Sequence, residues 1–115
     1  MISRTWHGIV PIEKKLAFQE YLNDTGVKDA LLIKGNLGVY VDIIDQENYS
    51  HFFLCTIWEN YNDLIEYAGE NPIVAITYPE DAAYELISDP IVIHQEVNHS
   101  GNPFRFKIVK EKNLP

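Results

Sequence analysis

The residues best suited to chemistry are one histidine and one arginine at distant positions in the chain, His94 and Arg4. An imidazole can take a proton from a phenol near neutral pH, because its ordinary pKa is about 6.5. A guanidinium favours the phenolate or peroxide anion that then forms. Trp6 and Trp58 offer flat apolar surfaces on which a planar molecule can stack. These residue types predict a site that deprotonates and orients an electron-rich aromatic substrate.

The same residues have structural interpretations. Inside an interface, His94 can be satisfied by Glu96, by Arg4 or by water, and Arg4 can be an ion-pair partner of Glu96 or Asp42. The two tryptophans can equally form the apolar core of an interface. Charged groups enclosed for structural reasons have perturbed pKa values too, so residue type alone does not separate the two interpretations.

Further polar groups are expected at the same pocket. In addition to Trp6 and Trp58, the predicted substrate-binding residues are Tyr40, Asp42, Tyr78 and Glu96. Tyr78 belongs to the segment Tyr78-Pro79-Glu80-Asp81 and is predicted either to close the pocket mouth or to anchor that turn. Cys55 lies in an apolar stretch without a basic neighbour, which indicates a buried, inert thiol.

The sequence shows no pattern of a metal or nucleotide site. Its four histidines lack ligand spacing such as His-Glu-x-x-His, and neither a Gly-rich phosphate loop nor Gly-x-Gly-x-x-Gly is present. We therefore expect no metal and no cofactor.

The composition is that of one acidic domain. The chain has 115 residues and a formal net charge of -8, with acids spread along it, which argues against binding to nucleic acid or to an anionic membrane. The single cysteine allows no intrachain disulfide. The first residues lack the apolar core of a signal peptide, and no apolar run approaches the roughly 20 residues that span a bilayer. We expect a cytoplasmic protein.

The elements that must position these residues follow the order β-α-β-β-α-β, the ferredoxin-like, split βαβ arrangement of an α+β fold with an antiparallel sheet. Alternation predicts strands over 2–10, 37–45, 51–58 and 91–97. Helices are predicted from Pro11 to a stop at 23–26, over 61–68 with Asn60 as N-cap, and over 79–87, and a short helical turn is predicted over 72–78. Residues 1–99 form the predicted domain, and 100–115 are an extension whose alternation over 104–109 predicts an extra strand.

Each predicted strand separates into two sets of side chains, because successive residues point to opposite faces of a sheet. The nearly aliphatic set is predicted to face the helices: Thr5, Ile9, Leu37, Val39, Val41, Ile43, Phe53, Cys55, Ile57, Ile91, Ile93 and Val97. The mixed set contains the candidate site: Arg4, Trp6, Gly8, Tyr40, Asp42, Ile44, Phe52, Leu54, Thr56, Trp58, Val92, His94 and Glu96. Since an exposed aromatic face is unusual for a monomer, we expect a homodimer packed sheet against sheet, burying roughly 800 Å² per partner. Arg4 and Glu96 are predicted to be neighbours on adjacent strands.

The sequence resembles the dimeric α/β-barrel proteins of the antibiotic-biosynthesis-monooxygenase superfamily over about residues 1–97. The stretches that carry the resemblance are Arg4-Thr5-Trp6-His7-Gly8-Ile9-Val10-Pro11, Gly35-Asn36-Leu37-Gly38, Thr56-Ile57-Trp58, Tyr78-Pro79-Glu80-Asp81 and His94-Gln95-Glu96-Val97. The resemblance implies a homodimer with a pocket beside its core. It also implies oxidation of polyphenols or quinols by oxygen without metal or flavin.

The haem-degrading branch of that superfamily is a poor match. Trp58 corresponds to that branch's tryptophan, but the position of its iron-ligating histidine falls on Ala68, and the first strand has no asparagine. Three functional hypotheses therefore remain. One is a cofactor-independent monooxygenase acting on a small aromatic or polyphenolic substrate, and another is a ligand-binding or stress-associated homodimer without catalysis. A third possibility is that the enclosed polar face only specifies dimer pairing.

Overall fold

An antiparallel sheet with helices on one face forms the body of the protein. The computed structural model describes residues 1–104. The strands are β1 (Ile2–Pro11), β2 (Asn36–Gln46), β3 (Tyr49–Trp58), β4 (Ile87–Ser88) and β5 (Ile93–Glu96). Their order is β2-β3-β1-β4, with β5 also pairing with β1, and every pairing is antiparallel. The predicted ferredoxin-like α+β fold is confirmed.

The helical region after β1 is longer than predicted. A 3-10 turn (Ile12–Lys14) leads into α1 (Lys15–Leu22), a π-helical turn (Asn23–Val27) and α2 (Lys28–Leu31). The predicted stop at Gly26 is wrong, because Gly26 is buried inside this helical run. A Cβ there would stand 3.1 Å from Leu54 Cδ2, so the glycine allows the helix to lie close to the sheet.

The next helix agrees with the prediction. Helix α3 spans Tyr61–Ala68, and the side chain of its N-cap Asn60 accepts a hydrogen bond from the Asp63 backbone N–H at 3.0 Å. The helix ends at Gly69, whose φ of 85° lies in the left-handed region that favours glycine. Asn60 and Gly69 were sufficient to predict both ends of α3, because each acts on the helix end next to it.

The segment before β5 contains less helix than predicted. Only Asp81–Tyr84 forms a short 3-10 helix, and Glu85 then turns the chain with a φ of 53° before β4 pairs with β1. The predicted turn over 72–78 is not helical, and Val74 instead makes an isolated bridge to Ile91. Of the extra strand predicted over 104–109, all residues after Phe104 lie outside the described residues.

The mixed set of side chains on β1 and β3 faces the helices, which reverses the prediction. Trp6, Phe52 and Leu54 pack in one buried cluster with Phe18 and Leu22 of α1. A second cluster joins Trp58 of β3 to the buried faces of α2 and α3. Alternation separated the two faces within each strand but did not indicate which face of each strand the helices cover.

Strand β2 follows the prediction, unlike β1 and β3, because its aliphatic set faces the helices. Val41 pairs with Leu54 and packs against the α1 cluster, whereas Asp42 pairs with Phe53 on the opposite face. Tyr40 shares that opposite face because it pairs with Cys55. The register between β2 and β3 determines which β2 residues share a face with which β3 residues. Alternation within a single strand does not predict this register.

The face opposite the helices, hereafter the open face, is partly covered by the chain itself. The Tyr40 hydroxyl donates a 2.6 Å hydrogen bond to the Ser100 carbonyl, and the rings of Phe53 and Phe104 lie 6.0 Å apart. Ser3 and Ile57 are buried beneath this segment at 3 % and 1 % exposure, whereas Ile93 is 61 % exposed. Within residues 1–104, no helix has the length and apolar character needed to cross a membrane.

Candidate functional site

Arg4 is the buried cation around which the candidate site forms. It is 3 % exposed on the helix-facing side of β1, where Nε donates to the Pro72 carbonyl at 3.2 Å and Nη2 donates to the Val74 carbonyl at 3.0 Å. Its guanidinium carbon lies 5.6 Å from the centre of the Tyr67 ring, within the range of a cation–π contact. No carboxylate forms an ion pair with Arg4 among residues 1–104. Burial lowers the pKa of Arg4, because it disfavours the charged form. The two carbonyls and the Tyr67 ring face offset part of this cost.

His94 lies directly opposite Arg4 on β5. The two residues are Cα partners in the antiparallel register, which brings the predicted general base and the predicted anion-binding residue together. Burial lowers the pKa of His94 and the nearby charge of Arg4 lowers it further, whereas the Pro72 carbonyl opposes the shift. The imidazole is therefore neutral at pH 7, the form that a general base requires.

One nitrogen of His94 has no partner. Its Nε2 is buried and makes no hydrogen bond to any residue in the 1–104 range, while the ring meets Tyr61 edge-on at 6.0 Å between centroids. A buried imidazole nitrogen without a partner loses the free energy of a hydrogen bond, so it is a natural position for a ligand's polar atom.

Tyr67 belongs to the site and was not among the predicted residues. It lies on α3, stacks on Trp58 with ring centroids 5.2 Å apart, and donates from its hydroxyl to the Gly26 carbonyl at 3.4 Å. Burial raises its pKa to about 12, so the phenol remains neutral beside Arg4. The signal that could have found it is the spacing of Leu64, Tyr67 and Ala68, which places all three on one helix face.

Tyr78 anchors the segment that covers Arg4. Its hydroxyl donates to Asp29 Oδ2 at 2.7 Å, and its backbone N–H donates to Asp81 Oδ2 at 2.9 Å. Burial and the hydrogen bond to Asp29 raise its pKa far above the ordinary value. Of the two predicted roles, anchoring the turn is the one these contacts display.

Trp58 lies with this group, and the other predicted binding residues are dispersed. Trp6 is buried in the α1 cluster and donates from Nε1 to Ser88 Oγ at 2.7 Å. Tyr40 and Asp42 are on the open face, where Asp42 Oδ2 is buried without a hydrogen-bond partner among the described residues. Glu96 is exposed and pairs opposite Ile2, so the position beside Arg4 that was predicted for Glu96 belongs to His94.

Two grooves lie away from the Arg4–His94 pair. The larger, of about 540 Å³, is on the open face between the sheet and residues 96–103, and Ser3, Ile57, Glu96 and His99 contribute to its lining. The smaller, of about 390 Å³, lies beside the β2–β3 hairpin turn, and Asn48 and Glu85 are among its lining residues. Neither lining includes Arg4 or His94, because the Pro72–Val74 backbone closes over Arg4.

Comparison with known proteins supports the fold. A solved structure from Deinococcus radiodurans, provisionally described as an antibiotic biosynthesis monooxygenase, superposes with a TM-score of 0.59 at 16% sequence identity. The alignment covers 89% of this chain and 97% of that chain. No protein-family model and no curated protein matches the sequence. The resemblance to this superfamily is confirmed at the level of the fold.

Proposed function

We propose that the protein is a cofactor-independent monooxygenase that binds a small phenol or hydroquinone at Arg4 and His94. One observation carries this proposal: two groups, each lacking one kind of partner, lie on paired positions of adjacent strands. Within residues 1–104, the buried guanidinium of Arg4 has no carboxylate partner, and the buried Nε2 of His94 has no hydrogen-bond partner. A phenol supplies what both lack, since its O–H donates to the imidazole and the resulting phenolate is attracted to the guanidinium. The superfamily fold fits this chemistry but does not determine it.

The reaction needs no external reductant. A hydroquinone that reacts with O₂ gives a hydroxyquinone and water, so one oxygen atom enters the ring and the substrate supplies all the electrons. The protein's tasks are to deprotonate the phenol, to hold the phenolate and to exclude water. His94 Nε2 takes the proton and Arg4 stabilises the anion. Tyr67 and Trp58 provide a flat stacked wall beside Arg4.

Substrate entry requires the segment over Arg4 to move. Two hydrogen bonds from Arg4 hold the carbonyls of Pro72 and Val74, and they occupy two of the five guanidinium N–H donors. A phenolate competes for this cation with neutral carbonyls, and it adds the attraction between opposite charges, which is stronger in a covered site than in water. Anion binding and opening of the segment are therefore coupled.

Oxygen consumption by full-length protein treated with chelator tests the proposal. A panel of hydroquinones and polyphenols should include a substrate, and His94→Ala should lower its turnover about 100-fold or more, the scale of general-base loss. His99→Ala is the matched control, because His99 is exposed on the opposite side of the sheet. No uptake across the panel, or full activity in His94→Ala, would contradict the proposed mechanism.

The alternative is a homodimer that binds a small ligand without turnover. The groove of about 540 Å³ over Ser3 and Ile57 favours it, because this volume is open whereas the Arg4 site is covered. In that case hydroquinones would bind without oxygen uptake, and His99→Ala rather than His94→Ala would weaken binding.

A further inference from the structure

Two histidines outside the Arg4 site meet on the open face. His7 of β1 and His51 of β3 approach with His7 Nε2 2.8 Å from His51 Nδ1. Their sequence separation of 44 residues hides the pair from any motif search. Antiparallel pairing of β1 with β3 makes them diagonal neighbours, since His7 pairs with Phe53 and His51 with Ile9. The His7 ring also stacks on Phe53 at 4.7 Å between centroids, which fixes its orientation.

The two rings face each other head-on. Their centroids are 5.1 Å apart and their planes differ by 13°. The centroid separation nearly equals the N···N distance plus the two distances from a ring centre to its nitrogen. The two centroids and the two facing nitrogens therefore lie almost on one line, and the lone-pair directions of these nitrogens point at each other. We refer to His7 Nε2 and His51 Nδ1 as the inner nitrogens and to the other ring nitrogens as the outer ones.

Both outer nitrogens bind acceptors. His7 Nδ1 lies 2.8 Å from the carboxylate oxygen Oδ2 of Asp89, and His51 Nε2 lies 2.9 Å from the amide oxygen Oε1 of Gln46. The Asp89 carboxylate only accepts, so His7 Nδ1 carries its hydrogen, and His51 Nε2 carries its hydrogen with the Gln46 amide oxygen oriented toward it as it is here. A neutral imidazole has one N–H, so both inner nitrogens present lone pairs to each other. Two lone pairs at 2.8 Å repel unless a cation lies between them.

We propose that His7 and His51 form a binding site for a divalent transition-metal ion, with Zn²⁺ or Cu²⁺ as the best-suited ions and water in the remaining positions. Imidazole nitrogen is a preferred ligand of both ions. Metal-bound histidines almost always donate their outer N–H to a carboxylate or a carbonyl, and Asp89 and Gln46 already accept such bonds.

The two rings must turn as well as separate for an ion to bind, because lone pairs that now point straight at each other have to meet at about 109° on a tetrahedral ion. Two nitrogens on one tetrahedral zinc ion stand about 3.3 Å apart for Zn–N bonds of about 2.0–2.1 Å, so the rings must separate by roughly half an ångström and tilt. The His7 side chain is 27% exposed and Asp89 59%, which gives an ion access from solvent. Within residues 1–104, no group of three or more His, Cys, Asp or Glu side chains converges as a metal site. The expected affinity is therefore that of a two-histidine site, below that of a closed structural zinc centre.

Calorimetric titration of chelator-treated, full-length protein with ZnCl₂ tests the proposal, and no substrate is needed, so its outcome is independent of the proposed enzyme activity. One ion per chain should bind, as measured by the stoichiometry of the titration. Asp89→Asn should weaken binding about 10- to 100-fold, the usual effect of losing the carboxylate behind a ligating histidine. His7→Gln and His51→Gln should each abolish the site, and Gln46→Glu should tighten it.

The matched control is His99→Gln, an exposed histidine elsewhere on the chain. Circular dichroism of each variant establishes that its fold is intact. The proposal is overturned if zinc does not bind at millimolar concentration, or if His7→Gln and His51→Gln leave its affinity unchanged. Imidazole ¹⁵N shifts that report a proton between the rings, and that do not respond to zinc, would equally overturn it.

Discussion

Arg4 shows how a charged residue becomes part of a protein core without an acidic partner. The sequence predicted an ion pair with Glu96 or Asp42 or a role in binding an anion, and the structure gives it two carbonyls and an aromatic ring instead. Hydrogen bonds from a charged donor to a neutral acceptor are stronger than neutral ones, so they offset part of the cost of burial. The carbonyls depend on Arg4 in turn.

Replacing Arg4 should therefore destabilise the fold. Arg4→Gln keeps a polar side chain but cannot reach both carbonyls, and leaving a buried carbonyl unpaired costs about 1–3 kcal/mol. Urea unfolding should show a lower midpoint for Arg4→Gln than for wild type. Lys34→Gln removes an equal charge at an exposed position and should leave the midpoint unchanged. Equal midpoints for Arg4→Gln and Lys34→Gln would mean that the two carbonyls are satisfied in another way.

His94 should make stability depend on pH in a defined direction. Its pKa in the folded protein lies below the ordinary value of 6.5, because burial and Arg4 disfavour the charged form. As the pH falls below about 6.5, the unfolded chain takes up the proton before the folded protein does, so the free energy of unfolding decreases. The decrease levels off once the pH is below the folded pKa.

Urea unfolding between pH 8 and pH 5 measures this effect. His94→Gln should lose less stability than wild type over that interval, whereas His99→Gln should follow the wild-type curve. Parallel curves for wild type and His94→Gln would show that His94 does not contribute to the pH dependence.

At the scale of elements, sequence was sufficient where the determinants are local. The boundaries of α3 follow from Asn60 and Gly69, and the β2–β3 hairpin follows from two alternating runs around a polar turn. The continuation of the helical run past Leu22 was missed because Gly26 is normally a stop signal, whereas here it lies inside that run and lets the helix approach Leu54. Tyr67 was missed because it belongs to the site only through its contact with Arg4, which lies 63 positions earlier in the chain by their residue numbers.

The cap of α3 offers a test of this local control. Asn60→Ala removes the acceptor of the Asp63 N–H and should lower the free energy of unfolding by about 1 kcal/mol, a typical loss for an N-cap. Thermal unfolding followed by circular dichroism measures it as a decrease of a few degrees in Tm. Asn62→Ala changes an exposed residue of the same helix and serves as the control. A loss of equal size in Asn62→Ala would assign the effect to helix composition rather than to the cap.

At the scale of the whole molecule, the order of elements predicted the topology, but alternation predicted neither which face the helices cover nor how the faces of β2 match those of β1 and β3. That choice depends on strand register and on the volume available under α1, neither of which a single strand encodes. The homodimer remains a prediction. Because helices cover the aromatic side chains of β1 and β3, the argument for a dimer now rests on apolar residues outside that covered face. Exposed isoleucines at 87, 91 and 93 line the β4–β5 side of the molecule.

We expect light scattering at low micromolar concentration to give twice the chain mass. Ile93 is 61 % exposed and pairs with Thr5 on the open face, so Ile93→Glu should shift the mass toward that of a monomer. Leu16→Glu is the control, because Leu16 is 77 % exposed on α1, on the other side of the molecule. Two copies with a charge of -8 each repel, so the dimer should strengthen with salt. A wild-type protein that is monomeric under these conditions contradicts the expectation.

The central position of β1 also affects events during synthesis. Among the five strands β1 is synthesised before the others, yet its edge opposite β3 remains unpaired until β4 and β5 follow, and Pro72 and Val74 come 68 and 70 residues after Arg4. At roughly 5–20 residues per second, this interval lasts on the order of 4–14 s. An unpaired apolar strand is prone to aggregate, and a charge within it opposes pairing with other chains. Arg4 is exposed to water until β4, β5 and residues 72–74 have been synthesised, and it is buried once they pack against β1. Arg4→Gln should therefore leave a larger insoluble fraction during expression than Lys34→Gln does.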